Sequence, residues 1–189
     1  MTHPHSLHRD VLQVALMLSG PGVPDPVRVT DVVGLEDVAP TLLELCDLPI
    51  PESMRGRSLV PLMHGKRADP HPVFSVYGNV DVPEPRSIIY QEHHLILHME
   101  KYKENADKVG LAEAVLLAEE ESVQLYDYIA DPNEMRNLAK ELPAKVVALN
   151  RLFEKHQQEI AAAKVQEGRR FNKMDEETRI QLKALGYVN

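Results

Sequence analysis

The run Val11 to Ser19 (VLQVALMLS) is almost continuously apolar and is closed by Gly20-Pro21-Gly22. It lacks the alternation of a half-exposed strand, and glycine and proline punctuate its end, so it reads as a short strand buried on both faces and stopped by a turn. Such a strand needs neighbours, which places the opening of the chain inside a larger sheet. At 189 residues the chain is long enough to bury a core of its own. No stretch reaches the apolar length of a membrane span, and the N-terminus lacks the basic-then-apolar layout of a signal peptide.

Charge narrows the range of partners. With 21 Lys and Arg against 29 Asp and Glu, the balance is acidic, which argues against nucleic acid or an anionic membrane as partner. The single cysteine, Cys46, rules out an intrachain disulfide and leaves the redox compartment open. On an apolar helix face it is expected to be a small buried hydrophobe.

Further along, Val27 to Thr30 suits an extended piece, and Leu35 to Leu45 (LEDVAPTLLEL) suits a helix starting near Glu36 or Asp37, because Pro40 is tolerated only in a first turn. Asp47 to Arg57 is rich in turn formers, and Ser58 suits the cap of a short helical turn through Leu62. Three strands are expected at Val73 to Tyr77, Ser87 to Gln91 and His94 to Met99, with Glu92-His93 joining the last two as a hairpin. Asn105 to Glu121 favours helix, and Val123 to Tyr128 (VQLYDY) returns to strand composition before the turn signal Asp131-Pro132-Asn133. From Pro143, Val146, Leu149, Phe153, His156 and Ile160 recur at helical spacing and mark one apolar stripe on a long helix. Gly168 to Lys173 is expected to break it as a basic loop, and a last short helix is expected from Asp175 to Gly186. The fold class is α/β: part of one sheet at the start, then a small antiparallel sheet packed by a long C-terminal helix. The expected division is 1–70, 71–166 and a helical tail at 167–189.

Three stretches resemble motifs of one known family. His5-Ser6-Leu7-His8-Arg9-Asp10-Val11-Leu12-Gln13-Val14-Ala15-Leu16, continuing to Gly20-Pro21-Gly22, is similar to the family's His- or Lys-containing loop, "VPL" strand and "GPG" turn. Asp37-Val38-Ala39-Pro40-Thr41-Leu42-Leu43-Glu44-Leu45 with Gly56-Arg57-Ser58-Leu59 resembles its "D-x-x-PT-LL-x-L" helix and "G-x-SL" loop. Leu125-Tyr126-Asp127, Asp131-Pro132-Asn133-Glu134 and Asn137-Leu138-Ala139 resemble its "LYD…DP-x-E-x-NLA" signature. The family they resemble is the sulfatases of the alkaline-phosphatase-like superfamily, and the resemblance is to its C-terminal portion only. Ala15 replaces the usual proline, and His8 stands where an aromatic residue is common.

The resemblance implies a parent that hydrolyses sulfuric esters, with a formylglycine made from a Cys/Ser-x-Pro-x-Arg motif and a calcium ion, both supplied upstream. Cys46 does not fit that motif, because Asp47-Leu48-Pro49 puts proline one place late and no arginine follows. The chain is therefore expected to hold no cofactor and to be inactive alone, its partners being the sulfate-ester substrate of the complete enzyme and the N-terminal portion.

Hydrolysis also needs a proton for the departing alkoxide. The resemblance puts a His or Lys near the sulfate and the leaving oxygen, and His3 and His5 are the candidates for that catalytic role, undivided between them; an imidazole titrates in the right range. The alternative is a pair of histidines without a fixed partner at the N-terminus. His93, His94 and His98 lack a Cys or paired carboxylate to complete a metal set and are expected on a solvated strand face. Tyr126, Asp127 and Asp131 are expected to fix a hairpin rather than to catalyse. Glu119-Glu120-Glu121 and Arg169-Arg170-Phe171 read as solvated surface. A non-catalytic interaction module and a phosphoesterase of the same superfamily are the competing functions.

Overall fold

The computed structural model describes residues 6–24, 26–67, 69–77, 85–98, 111–119 and 121–171. These form a mixed α/β fold: helix α1 (Arg9–Leu12), a 3-10 turn Leu35–Asp37 running into α2 (Val38–Leu45), α3 (Val60–Met63), strands β1 (Val73–Val76), β2 (Arg86–Tyr90) and β3 (His93–Leu97), α4 (Leu111–Leu117), β4 (Val123–Asp127) and α5 (Pro143–Phe171). Two compact units are distinguished, Met1–Asn150 and Arg151–Asn189.

In the first unit the four strands make one antiparallel sheet in sequence order. Pairing of Leu95 with both Ile88 and Leu125 fixes the register. Side chains alternate between faces, so His94, Ile96 and Tyr126 share one face and Leu95, Leu97, Leu125 and Arg86 the other. Both faces are covered, which is why all five positions of β3 are buried. Leu7 and Leu12 pack with Ile96 and Tyr126 on the first face. On the second, the buried Arg86 guanidinium donates to Asn150 Oδ1 at 2.5 Å, tying β2 to the start of α5, where Val146 and Leu149 are also buried. Proline opens α5 at a position whose N–H has no helical partner.

The hairpin between β2 and β3 turns at Gln91-Glu92, one residue earlier than the sequence predicts, with Gln91 at φ 56. His93 thereby enters the strand and pairs with both Tyr90 and Asp127. The N-cap of α3 is Leu59 rather than the expected Ser58; Ser58, one residue earlier, accepts from Val60 N–H through its Oγ at 3.2 Å.

A second cluster of polar contacts joins α2 to the loop after it. Asp37 is fully buried; its carboxylate accepts from Gly34 N–H at 2.9 Å and from Arg57 N–H at 2.8 Å. The Thr41 hydroxyl donates to Asp37 O at 2.6 Å and accepts from Leu59 N–H at 2.9 Å. Every donor in this buried set has an acceptor, as a low-dielectric interior requires. The D-x-x-PT and G-x-SL stretches are thus two halves of one lock.

Three expectations are corrected. Val11 to Ser19 forms no strand: Arg9–Leu12 is helical, and Val14, Leu16 and Met17 are exposed at 59%, 40% and 88%. A strand exists only where another pairs with it, and among the described residues none does so here. Val27 to Thr30, expected only as an extended piece, pairs with no strand among the described residues and is exposed. Cys46 is exposed, because it sits at the C-cap of α2 rather than on its buried side. Helix α5 does not break at Gly168 but runs to Phe171. One glycine within a helix costs only about 1 kcal/mol relative to alanine, too little by itself to end a long helix. In the second unit Phe153 is buried and His156 and Ile160 are half-buried. The expected helix from Asp175 to Gly186 lies outside the described residues, as do residues 105–110 of the Asn105 to Glu121 segment.

Candidate functional site

Strand β4 runs out at Asp127 into a turn that its own polar side chains close. Asp127 Oδ1 accepts from Ala130 N–H at 2.7 Å and from Ile129 N–H at 3.0 Å. The Ala130 amide is the main reason its carboxyl titrates below the usual value. Asp131 Oδ2 accepts from Arg136 N–H at 2.8 Å, and Glu134 N–H donates to Asp131 O at 3.0 Å. Asn137 then lies along the outer edge of β4: its Oδ1 accepts from Leu125 N–H at 3.0 Å and its Nδ2 donates to Val123 O at 3.0 Å. Leu138 N–H donates to Leu125 O at 2.7 Å. Edge groups that would otherwise invite another strand are satisfied by the following segment. Asp127 and Asp131 therefore occupy the turn-fixing roles expected of them.

The turn presents Glu134 in a left-handed backbone conformation, φ 53. Its side chain is 4% exposed and gathers three donors from two remote parts of the chain. Glu134 Oε1 pairs with His94 Nδ1 at 2.5 Å; Oε2 pairs with His8 Nδ1 at 2.8 Å and accepts from Arg9 N–H at 3.0 Å. Burial pushes this carboxyl up, but the bonds from His94, the Arg9 amide and His8 outweigh it and hold the group at about 2. Arg9 adds a second tie, donating from Nη1 to Tyr128 O at 2.9 Å with its guanidinium 4.2 Å from the centre of the Tyr128 ring. The His8 ring stands 5.6 Å from that of Tyr126.

Between the segment carrying His8 and the Pro132 to Glu134 turn lies an open depression of about 470 Å³, with Ser6, Asp10, Gln13 and Asn133 also on its wall. An imidazole that gives its Nδ1–H to a buried carboxylate has a fixed tautomer and keeps Nε2 for proton exchange. His8 meets that description at the edge of the depression, being about one-third exposed. His94, fully buried, does not.

His3 and His5 lie outside the described residues. The expected solvated strand face is overturned: His94 is 0% and His93 8% exposed. A ring in the middle of a two-sided sheet has no route to water, and Glu134 supplies the polar partner instead. Glu134 and His8 both lie within the motifs named above, but the motifs assign neither residue a role. Among the described residues no group of three or more His, Cys, Asp or Glu side chains is placed to hold a metal ion. The acidic groups nearest such a task, Asp37 and Glu134, are engaged by amides and imidazoles, so these residues do not fit a calcium ion.

The family model described as "N-sulphoglucosamine sulphohydrolase, C-terminal" matches residues 5–162. The chain belongs to this family, a C-terminal portion of the sulfatases. Among curated proteins it is 29% identical to arylsulfatase K of Gallus gallus over 151 residues, covering 78% of this chain and 26% of that protein. Its identity to arylsulfatase K of Homo sapiens is 28% over 145 residues, covering 77% and 26%. The chain thus spans about a quarter of the length of these relatives. Similar solved structures include one in complex with its substrate D-glucosamine-2-N,6-O-disulfate, at 24% identity and TM-score 0.44 over 65% of this chain and 23% of that one. Another is a 2-O GAG sulfatase, at 17% identity and TM-score 0.37 over 74% and 26%. Likeness at such TM-scores adds nothing to the family assignment.

Proposed function

We propose that this chain is the C-terminal part of a sulfuric ester hydrolase and is inactive by itself. The observation that carries the reading is the family match over residues 5–162 together with the two locks that its motifs build, Asp37 and Thr41 with the Gly56 to Leu59 loop, and Asn137 with β4. In the complete enzyme the nucleophile, a formylglycine, and the calcium ion would come from upstream. One of His3 and His5 would meet the sulfate or protonate the leaving oxygen. Residues 1–70 would close the α/β core, 71–166 would form the C-terminal subdomain and 167–189 the tail. The exposed side chains of Val14, Leu16 and Met17 support a partner for this stretch, the N-terminal portion of the same enzyme.

The DNA immediately upstream of the Met1 codon tests this reading. A coding stretch with Cys/Ser-x-Pro-x-Arg and paired acidic ligands is the expected finding. An unrelated gene ending before a separate ribosome-binding site would instead leave a non-catalytic module. Threonine or an unmodified serine in place of the formylglycine motif would point to a phosphoesterase.

A further inference from the structure

We propose that residues Leu7 to Gln13 form a strap that closes over the β3–β4 face and opens as a unit, with Glu134 as its latch and Val14 to Met17 as its hinge. Opening leaves the sheet and the turn after β4 in place. The proposal stands apart from the sulfatase reading, since it concerns this chain's own residues only.

Side chains alone seat the strap on the sheet. Leu7 is buried and, with Leu12, packs on Ile96 and Tyr126 as a small cluster of its own. Among the described residues no strand pairs with the strap. The amides of Val11, Leu12 and Gln13 donate back to the His8 and Arg9 carbonyls at 3.0, 3.0 and 2.8 Å, and Arg9 Nε donates to Gln13 Oε1 at 2.8 Å. A segment whose backbone bonds are internal can leave a sheet without breaking any of the sheet's own, the condition for a local opening.

The latch belongs to the part that stays. The turn after β4 is closed by Asp127, Asp131 and Asn137, each through backbone amides of its own neighbourhood. None of those bonds uses the Glu134 side chain. Its Oε2 reaches across to His8 Nδ1 and the Arg9 amide, while Oε1 stays on His94 within the sheet. Arg9 Nη1 adds a bond to Tyr128 O. The backbone at Glu134 adopts φ 53, a region that side-chain-bearing residues rarely occupy and that persists where surroundings enforce it. Charge-assisted bonds to a carboxylate are roughly twice as strong as neutral ones, which suits a latch on a segment without strand pairing.

The hinge follows directly. Val14, Leu16 and Met17 are exposed, and among the described residues none of 14–19 makes a backbone hydrogen bond. The chain is anchored again at Leu18, which packs on Leu59, Leu62 and Met63. A short unbonded stretch between two anchored points is where rotation of the backbone disturbs least.

Native-state hydrogen exchange in low urea tests the strap in this chain. The Arg9, Leu12 and Gln13 amides should share one opening free energy below that of the β3 amides, with a urea slope that is a fraction of the global one. Two substitutions then separate latch from sheet. Glu134→Gln weakens a bond present only in the closed state, so it should speed exchange at Leu12 and Gln13, neither of which touches Glu134, by about tenfold. Asn137→Ala weakens the sheet whether the strap is open or closed, so it should speed the β3 amides by about thirtyfold and leave Leu12 and Gln13 within about twofold. His8→Ala replaces Glu134→Gln, and Asn137→Asp replaces Asn137→Ala, if either variant does not fold. A zero urea slope at Leu12 and Gln13 would mean that α1 frays residue by residue and would overturn the strap. So would Asn137→Ala speeding the strap and β3 alike, which would mean that the two unfold together. Unchanged exchange at Leu12 and Gln13 in Glu134→Gln would remove Glu134 as the latch.

Discussion

Gly56 and Glu36 meet backbone to backbone: a Cβ added at Gly56 would stand 1.9 Å from the Glu36 carbonyl oxygen and 2.8 Å from Asp37 N. The approach lets Arg57 N–H reach the buried Asp37 carboxylate. No side-chain rotation relieves a clash with main chain, so Gly56→Ala should part the two halves of the lock. A loss of about 3 kcal/mol is expected, at the upper end for overpacking. A urea midpoint lowered at constant m-value is the measurement; an unchanged midpoint would show that the loop can retreat at little cost.

Asn137 satisfies the edge of β4 with both ends of its amide. Asn137→Ala leaves Leu125 N–H and Val123 O without these partners, and a loss of about 2 to 3 kcal/mol is expected. Asn137→Asp keeps the acceptor and loses the donor, and should fall between. Equal stability of all three by urea unfolding would contradict this account.

Glu134 governs the acid side of the stability profile. Its folded-state value, about 2, lies below the ordinary 4.5, so the charged form stabilises the fold above pH 4.5 and that contribution is lost as pH falls towards 2. The amount is on the order of 3 kcal/mol at full ionisation. Glu134→Gln should flatten the profile between those limits while lowering stability at neutral pH. Parallel acid unfolding curves for the two proteins would place the acid-sensitive group elsewhere.

At the β2 to β3 hairpin, Gln91 holds φ 56, a conformation that costs an L-residue about 1 to 2 kcal/mol and glycine almost nothing. After the larger loss of backbone entropy for glycine, Gln91→Gly should gain about 0.5 kcal/mol. A thermal midpoint raised by about 1 to 2 °C is the check; a fall would mean that the Gln91 side chain contributes contacts of its own.

Local signals made much of the second half legible. Alternation and turn residues located four strands to within a residue or two, and Pro143 with the Val146, Leu149 and Phe153 spacing located α5. The hairpin moved by one residue because periodicity cannot see which of Gln91 and His93 will accept the left-handed conformation. His94 was misplaced for a different reason. A histidine in a strand looks solvent-facing until its partner is known, and Glu134 is 40 residues away. His8 and Glu134 are 126 apart, a pairing that no spacing rule reaches. The run from Val11 to Ser19 carries a strand's composition, yet pairing is a property of two segments, and the described residues supply no second one for it.

We propose that this chain is part of a sulfatase whose chemistry it does not carry alone. Sulfate released from an aryl sulfate, quantified by ion chromatography, tests it most directly when the purified chain and the longer product encoded with it are assayed side by side. The account predicts no release from the chain and steady release from the longer product. Release from the chain alone, or none from the longer product, would contradict it.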